Sequence, residues 1–211
     1  EERGCGSPTC GVGCDCDRFL EIWNLVFTQF DRTEDGKYNP LTHKNIDTGC
    51  GLERLASVMQ NKPSNFETDL MFPIIEYASS VAGVEYGKDK ETDISLKVIA
   101  DHARSISFMV MDGILPSNEG RGYVLRRLLR RAVRHARMLG IQKKFLAGAV
   151  DVVAEIYSGV YDELTNRKDY IKKVITLEEE RFATTLNQGM ELLNEEIAKL
   201  KAENKTVLDG E

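Results

Sequence analysis

The apolar positions change period once along the chain. Residues 19–31 (Phe-Leu-Glu-Ile-Trp-Asn-Leu-Val-Phe-Thr-Gln-Phe-Asp) are rich in aromatic and β-branched side chains. As a strand they put Ile22, Asn24, Val26, Thr28 and Phe30 on one face and Trp23, Leu25, Phe27 and Gln29 on the other. Both faces are mostly apolar, which predicts a strand covered on both sides. Asp35-Gly36 then reads as a hairpin turn. A second strand near Asn45–Thr48 passes through Gly49 and Gly51 into a helix from about Leu52, so an antiparallel sheet with a helix on it is expected. From about Asn65 the period is helical. Asn65 or Thr68 is placed to cap a helix running to about Ser80. Thr92-Asp93 precedes a helix to about Met111, in which Leu96, Ile99, Ala103, Ile106 and Val110 recur three or four apart; Gly113 and Pro116 stop it. A loop at Leu115–Gly120 leads into an arginine-rich helix ending at Gly140, followed by helices over about Lys144–Ser158 and Lys168–Ala202.

These elements make an α+β chain: a partial antiparallel sheet with a cysteine-rich loop over residues 1–64, then a mostly α-helical domain over 65–211. A length of 211 residues and 42% hydrophobic content suit one or two compact domains. No apolar run approaches the roughly 20 residues that span a bilayer, so no membrane partner is expected. Glu1-Glu2-Arg3-Gly4 shows no initiator Met and no targeting pattern, and Leu208-Asp209-Gly210-Glu211 ends the chain just past a helical pattern. The expectation is an internal piece of a larger cytoplasmic protein, with no signal for an oligomeric state.

The net charge of −6 argues at first against a nucleic-acid partner. Its distribution reverses that: Arg121–Arg137 holds seven arginines, one histidine and no acidic residue, while Glu178-Glu179-Glu180, Glu191, Glu195 and Glu196 come later. A contact is felt over about one Debye length, roughly 8–10 Å, so local charge decides. Leu125, Leu128, Leu129, Ala132, Val133 and Ala136 form the buried stripe of this helix. Arg126, Arg127, Arg130, Arg131, Arg134 and Arg137 cover the rest, either as a solvated face paired with the later acidic helices or as a phosphate-binding face.

Four of the five cysteines, Cys5, Cys10, Cys14 and Cys16, fall within twelve residues. An odd total and tight clustering speak against a secreted disulfide scaffold. Four thiols interleaved with Gly and Pro suit a structural, tetrahedral Zn²⁺, with about 2.3 Å to each sulfur and no open position; the alternative is four reduced cysteines in a loop. Cys50 stands apart as a pocket or turn residue. His43, His102 and His135 are too far apart in sequence to suggest a site, and His102 reads as a packing or hydrogen-bonding residue.

Ile46-Asp47-Thr48-Gly49-Cys50-Gly51-Leu52-Glu53-Arg54-Leu55-Ala56 places glycines at a strand-to-helix junction and an arginine just inside the helix. Glycines there permit tight turns and close approach to a ligand, and the arginine fork can take phosphate oxygens beside the helix N-terminus. The segment resembles motif 3 of class II aminoacyl-tRNA synthetases. Most similar are the alanyl-tRNA synthetases, through Glu21–Phe27, Asp47–Ala56, Ser64-Asn65-Phe66, Thr68-Asp69-Leu70, Ala100-Asp101-His102, Leu115–Glu119 and Arg121–Arg127, in order along nearly the whole chain.

That resemblance implies ATP-dependent activation of alanine and its transfer to tRNA-Ala. The sheet becomes the end of a class II catalytic core, with Asn24, Asp47 and Gly49 in the alanine pocket. Asp47 would pair with the α-amino group and Gly49 would keep the pocket small, while Gly51 and Arg54 would serve ATP with its Mg²⁺. For Asn24 a bond to neighbouring backbone is the alternative. The helical domain becomes a tRNA-recognition domain, with Asn118, Arg121, Arg126, Arg127, Arg130, Arg131 and Arg134 toward the acceptor stem. Asn118 would read a G·U pair, its alternative being a helix cap. No covalent nucleophile is implied. Motifs 1 and 2, the aspartate partner of Asn118 and the editing modules are not found in this sequence, so acceptor-stem binding without catalysis is expected of the piece alone. Two other classes stand beside this reading: a non-catalytic RNA-binding helical module, and a structural helical protein with a zinc loop.

Overall fold

The computed structural model describes residues 4–14, 16, 18–202, 205 and 207. The chain ends discussed above, Glu1-Glu2-Arg3 and Leu208–Glu211, lie outside them. The chain divides into two compact units, Glu1–Thr68 and Asp69–Glu211, a break four residues beyond the expected residue 64.

In the first unit β1 (Trp23–Arg32) and β2 (Tyr38–Cys50) pair antiparallel. Thr33 and Lys37 close the turn, the Thr33 N–H donating to the Lys37 carbonyl at 2.9 Å, and Gly36 takes the positive φ of 83° that the turn requires. The ladder runs from Trp23 opposite Cys50 to Thr28 opposite Asn45. It then slips, and resumes at Phe30 opposite Pro40, leaving β2 residues 41–44 against Gln29 alone. Pro40, which has no N–H to give, sits at the edge of this irregularity. Expected coverage of both faces is not met among the described residues: Trp23 is 60% exposed and Phe27 64%. A lone two-stranded ribbon has no layer to bury its apolar positions. Cys50 is likewise an exposed end-of-strand residue rather than a turn. Helix α1 (Leu52–Met59) follows at once and packs chiefly on a 3-10 turn, Asn65–Glu67, rather than lying across the sheet.

The expected helix from Asn65 to Ser80 is two elements. Ser64, not Asn65 or Thr68, caps the 3-10 turn by accepting from the Phe66 N–H at 3.2 Å. The α-helix α2 (Phe72–Ala82) starts only with Pro73 in its first turn, where a missing N–H costs nothing, and ends on Gly83 at φ 69°.

Helix α3 (Lys90–Met111) begins earlier than Thr92-Asp93 because Asp89 is its cap, accepting from the Thr92 N–H at 2.8 Å. It is the central helix of the second unit: α2, α4 (Gly120–Met138) and α5 (Leu146–Ile156) all pack on it. Leu96, Ile99, Ala103, Ile106 and Val110 are buried as their spacing predicted. On α4 the buried stripe is Gly122, Leu125, Leu129, Ala132, Val133 and Ala136; Leu128 is half-buried. A short α6 (Asp162–Asn166), not anticipated, leads into α7 (Lys168–Ala202). The first part of α7 buries Ile171, Ile175, Glu178 and Glu179 against the bundle. Beyond about Ala183 nearly every residue is exposed, including Met190 and Leu192. Among the described residues no helix is long and apolar enough to cross a membrane.

Candidate functional site

The strand register decides which residues of the first unit meet. Asn24 lies opposite Gly49 and Val26 opposite Asp47, so the period of two puts Asn24, Asp47 and Gly49 on one face. Trp23, Leu25, Thr48 and Cys50 take the other face, where the Trp23 indole N–H donates to the Thr48 hydroxyl. Asn24 bonds a side chain, not backbone: its Nδ2 donates to Glu21 Oε2 at 3.3 Å. A methyl group added at Gly49 would meet nothing within 4 Å among the described residues, which leave that face open there. Gly51 is needed neither for a tight turn nor for a positive φ; its backbone is extended (φ −79°, ψ 107°). It lies under Arg54, whose Cδ would be 3.2 Å from a Cβ at that position. Arg54, in the first turn of α1, donates from Nη1 to the Glu21 carbonyl at 2.8 Å, and the Gly51 N–H donates to the Ile22 carbonyl at 3.1 Å. These two bonds tie the helix start to the strand that carries Asn24.

The cysteine loop brings Cys5, Cys10, Cys14 and Cys16 together, all four sulfurs lying within 4.8 Å of one another. Cys5 and Cys14 Sγ are 3.6 Å apart, Cys10 and Cys16 Sγ 3.5 Å. A tetrahedral zinc with bonds of about 2.3 Å separates its sulfurs by a little under 4 Å, so the cluster could hold a metal ion. The Arg18 backbone amide, then the Cys10 thiol and the Cys5 amide, hold Cys16 down to about 6, leaving it largely thiolate at neutral pH, the form a metal takes.

In the second unit the arginines of α4 divide into two groups. Arg126 and Arg130 turn inward, their Nε atoms both donating to Oε1 of the buried Glu178 on α7 at 3.0 Å. The Arg130 guanidinium also lies over the Phe182 ring, 5.1 Å from its centre. Arg121, Arg127, Arg131 and Arg134 are exposed, the last three recurring once per turn along one side. Asn118 is not a helix cap, since Glu119 holds that position without a side-chain bond. Its Oδ1 instead accepts from Arg126 Nη1, and its side chain is exposed.

His102 is buried as expected and bonds Asp101 Oδ2 through Nδ1 at 2.8 Å. His135 comes within its electrostatic reach despite the separation in sequence. Burial first, then Arg131, Arg134 and His102, hold His135 below the ordinary imidazole value. Pairing of the arginine face with a later acidic helix, one of the two alternatives the sequence offered, is met by Arg126 and Arg130, but the burial of Glu178 and Glu179 was not expected. The signal was the helical spacing itself, because Ile171, Ile175 and Glu178 fall on one stripe.

The entire chain, residues 1–211, matches the family model described as tRNA synthetases class II (A). It is 60% identical over 210 residues to a protein called alanine–tRNA ligase in Thermoanaerobacter pseudethanolicus, covering 100% of this chain and 24% of that relative. Proteins of the same name in Pelotomaculum thermopropionicum and Natranaerobius thermophilus are 57% and 53% identical, over 100% and 99% of this chain and again 24% of theirs. The chain thus spans about a quarter of the length of the curated relatives it matches.

Proposed function

Because this chain belongs to the class II tRNA synthetase family, we propose that it serves alanine–tRNA ligation in the cytoplasm as part of a longer enzyme. Its own share is one wall of the alanine and ATP pocket and a binding face for the acceptor stem of tRNA-Ala. On the hairpin, Asp47 takes the alanine ammonium, Asn24 and Gly49 border the substrate, and Gly51 with Arg54 serve the phosphates of ATP, which arrives with Mg²⁺. An amino acid with a single methyl offers about 1 kcal/mol of apolar contact, so its ammonium must supply much of the binding. Open space at Gly49 supports a substrate lying against that face.

The observation that carries the reading is α4, which exposes Arg121, Arg127, Arg131 and Arg134 beside Asn118 while Arg126 and Arg130 are held from behind. Phosphates take the exposed arginines, and the Asn118 amide meets the base edges and 2′-hydroxyls of the A-form minor groove. The test is binding of an acceptor-stem minihelix, with G·U or G·C at the third pair, across a salt series. Affinity should fall steeply with salt and drop for G·C. Replacing Arg127, Arg131 or Arg134 by alanine should flatten the salt slope by about one each, with no change in preference. No binding at low salt would end the claim.

For the cysteine cluster the reading is a structural Zn²⁺ that staples the loop. The chain should take up about one zinc, which shields Cys5, Cys10, Cys14 and Cys16 from a thiol reagent until a chelator is added. Cys50, exposed on β2, should react at once in either condition. Five thiols reacting alike in the presence of zinc would rule the site out.

A further inference from the structure

A carboxylate that is only 3% exposed needs cationic partners, and Glu178 has two. One of them reaches further. Arg126 donates from Nε to Glu178 at 3.0 Å and from Nη1 to Asn118 Oδ1, so one guanidinium joins a buried anchor on α7 to an exposed amide in the loop before α4. Arginine has donors and no acceptor, so the amide edge facing it must be the oxygen. The Asn118 Nδ2 is therefore the edge left for another molecule.

Resting on the acceptor-stem reading above, we propose that Glu178 is a positioning residue for base discrimination: through Arg126 it fixes the Asn118 carboxamide with its NH₂ group presented to the RNA. The recognised feature is then a hydrogen-bond acceptor on a base edge or a ribose. Without Glu178 the guanidinium of Arg126 loses its anchor and is repelled by Arg130, so it leaves Asn118 to rotate freely. An amide free to turn either edge outward no longer distinguishes acceptor from donor. The exposed arginines, which contact phosphate, are untouched by this change and keep the affinity that does not depend on sequence.

The experiment compares Glu178→Gln with Glu180→Gln in the 211-residue chain. The two variants lose the same charge on the same helix, but Glu180 is exposed and pairs only with Lys144 among the described ion pairs. Side-chain NMR follows the Arg126 Nε–H and the Asn118 carboxamide, and minihelix binding follows the ratio of affinities for G·U and G·C stems. In Glu178→Gln the Asn118 carboxamide signals should move and the ratio should fall about five- to tenfold, while affinity for the G·C stem changes less than about twofold. Glu180→Gln should change neither. Asn118→Ala should lower the ratio as far, and adding Glu178→Gln to it should cost nothing more. Arg126→Lys, which leaves Glu178 in place but cannot span both partners, should reproduce the loss even if Glu178→Gln folds poorly. Unmoved Asn118 signals, or affinities for both stems falling together, would overturn the proposal. If the unaltered chain binds both stems alike, the acceptor-stem reading fails on that result, and the carboxamide signals alone still decide whether Glu178 sets the amide.

Discussion

Gly122→Ala is expected to destabilise the helical unit by about 1–3 kcal/mol, the range for forcing atoms into a filled space. A Cβ at this position would stand 2.2 Å from the Leu115 carbonyl oxygen and 2.3 Å from Ser117 Oγ. The first of these is backbone and cannot swing aside, so the 115–118 loop must move away from α4. That loop is held to the helix by the Ser117 N–H, which donates to the Gly122 carbonyl at 3.2 Å, and it carries Asn118. The substitution should therefore lower the urea midpoint with little change in slope, and should also reduce the preference for a G·U stem. Gly189→Ala provides the opposite case. It lies within α7 with nothing among the described residues within 4 Å of the added methyl, so it should gain up to about 1 kcal/mol from helix propensity. A midpoint unmoved by Gly122→Ala would show that the loop is not seated on α4 as described.

The second large effect is on pH. Glu179 is buried beside a cavity of about 50 Å³ lined by α4, the segment 141–145 and α7. Its Oε1 accepts from the Phe145 N–H at 3.1 Å, at the start of α5, while Oε2 is buried without a hydrogen-bond partner among the described residues. Burial pushes its carboxyl up to about 7, against the pull of the Phe145 and Leu146 amides and of Lys144 and Arg137. From α2, the Tyr77 hydroxyl donates to the Phe145 carbonyl at 2.7 Å and stays neutral, its own ionisation raised first by burial and then by Glu179 and Asp151. Since the folded value lies above the ordinary glutamate value of 4.5, the folded chain holds the extra proton between the two. This group's contribution must then fall as pH rises from about 4.5 to about 7, and level off above, with a total on the order of 3 kcal/mol. Glu179→Gln keeps an oxygen for Phe145 and removes the proton equilibrium. Urea midpoints measured from pH 4.5 to 8 should slope downward in the unaltered chain and lose most of that slope in the variant. Equal slopes would show that Glu179 titrates as an ordinary surface carboxylate.

What could be read from the chain in advance depended on how local its cause was. The limits of α7 and the buried positions of α3 follow from a period of 3.6 within one segment, and both were found as expected. The start of α3 was missed because Asp89 takes the capping role, and that of α2 because Ser64 caps a separate 3-10 turn while α2 itself begins at Phe72 with a proline in its first turn and no side-chain cap. The β2 strand runs back to Tyr38, beyond the expected stretch near Asn45–Thr48, because pairing with β1 continues past the irregularity. Grouping of the four cysteines was legible because they share one short loop. Glu178 was not, since the two arginines that make its burial tolerable lie 48 and 52 positions away. Only the packing of α4 against α7 brings them together.

Helix α7 also has a mechanical side. At 1.5 Å per residue its 35 residues make a rod of about 50 Å, held against the bundle as far as about Ala183 and exposed over nearly all of the rest. From Ala183 to Ala202 the free arm is roughly 28 Å, so a tilt of about 5° where it leaves the bundle carries its tip about 2.5 Å. Leverage works in the other direction too. Anything that grips the far end applies torque at the carboxylates that hold Arg126, Arg130 and the start of α5, and a small load there reaches Asn118 through the single side chain of Arg126.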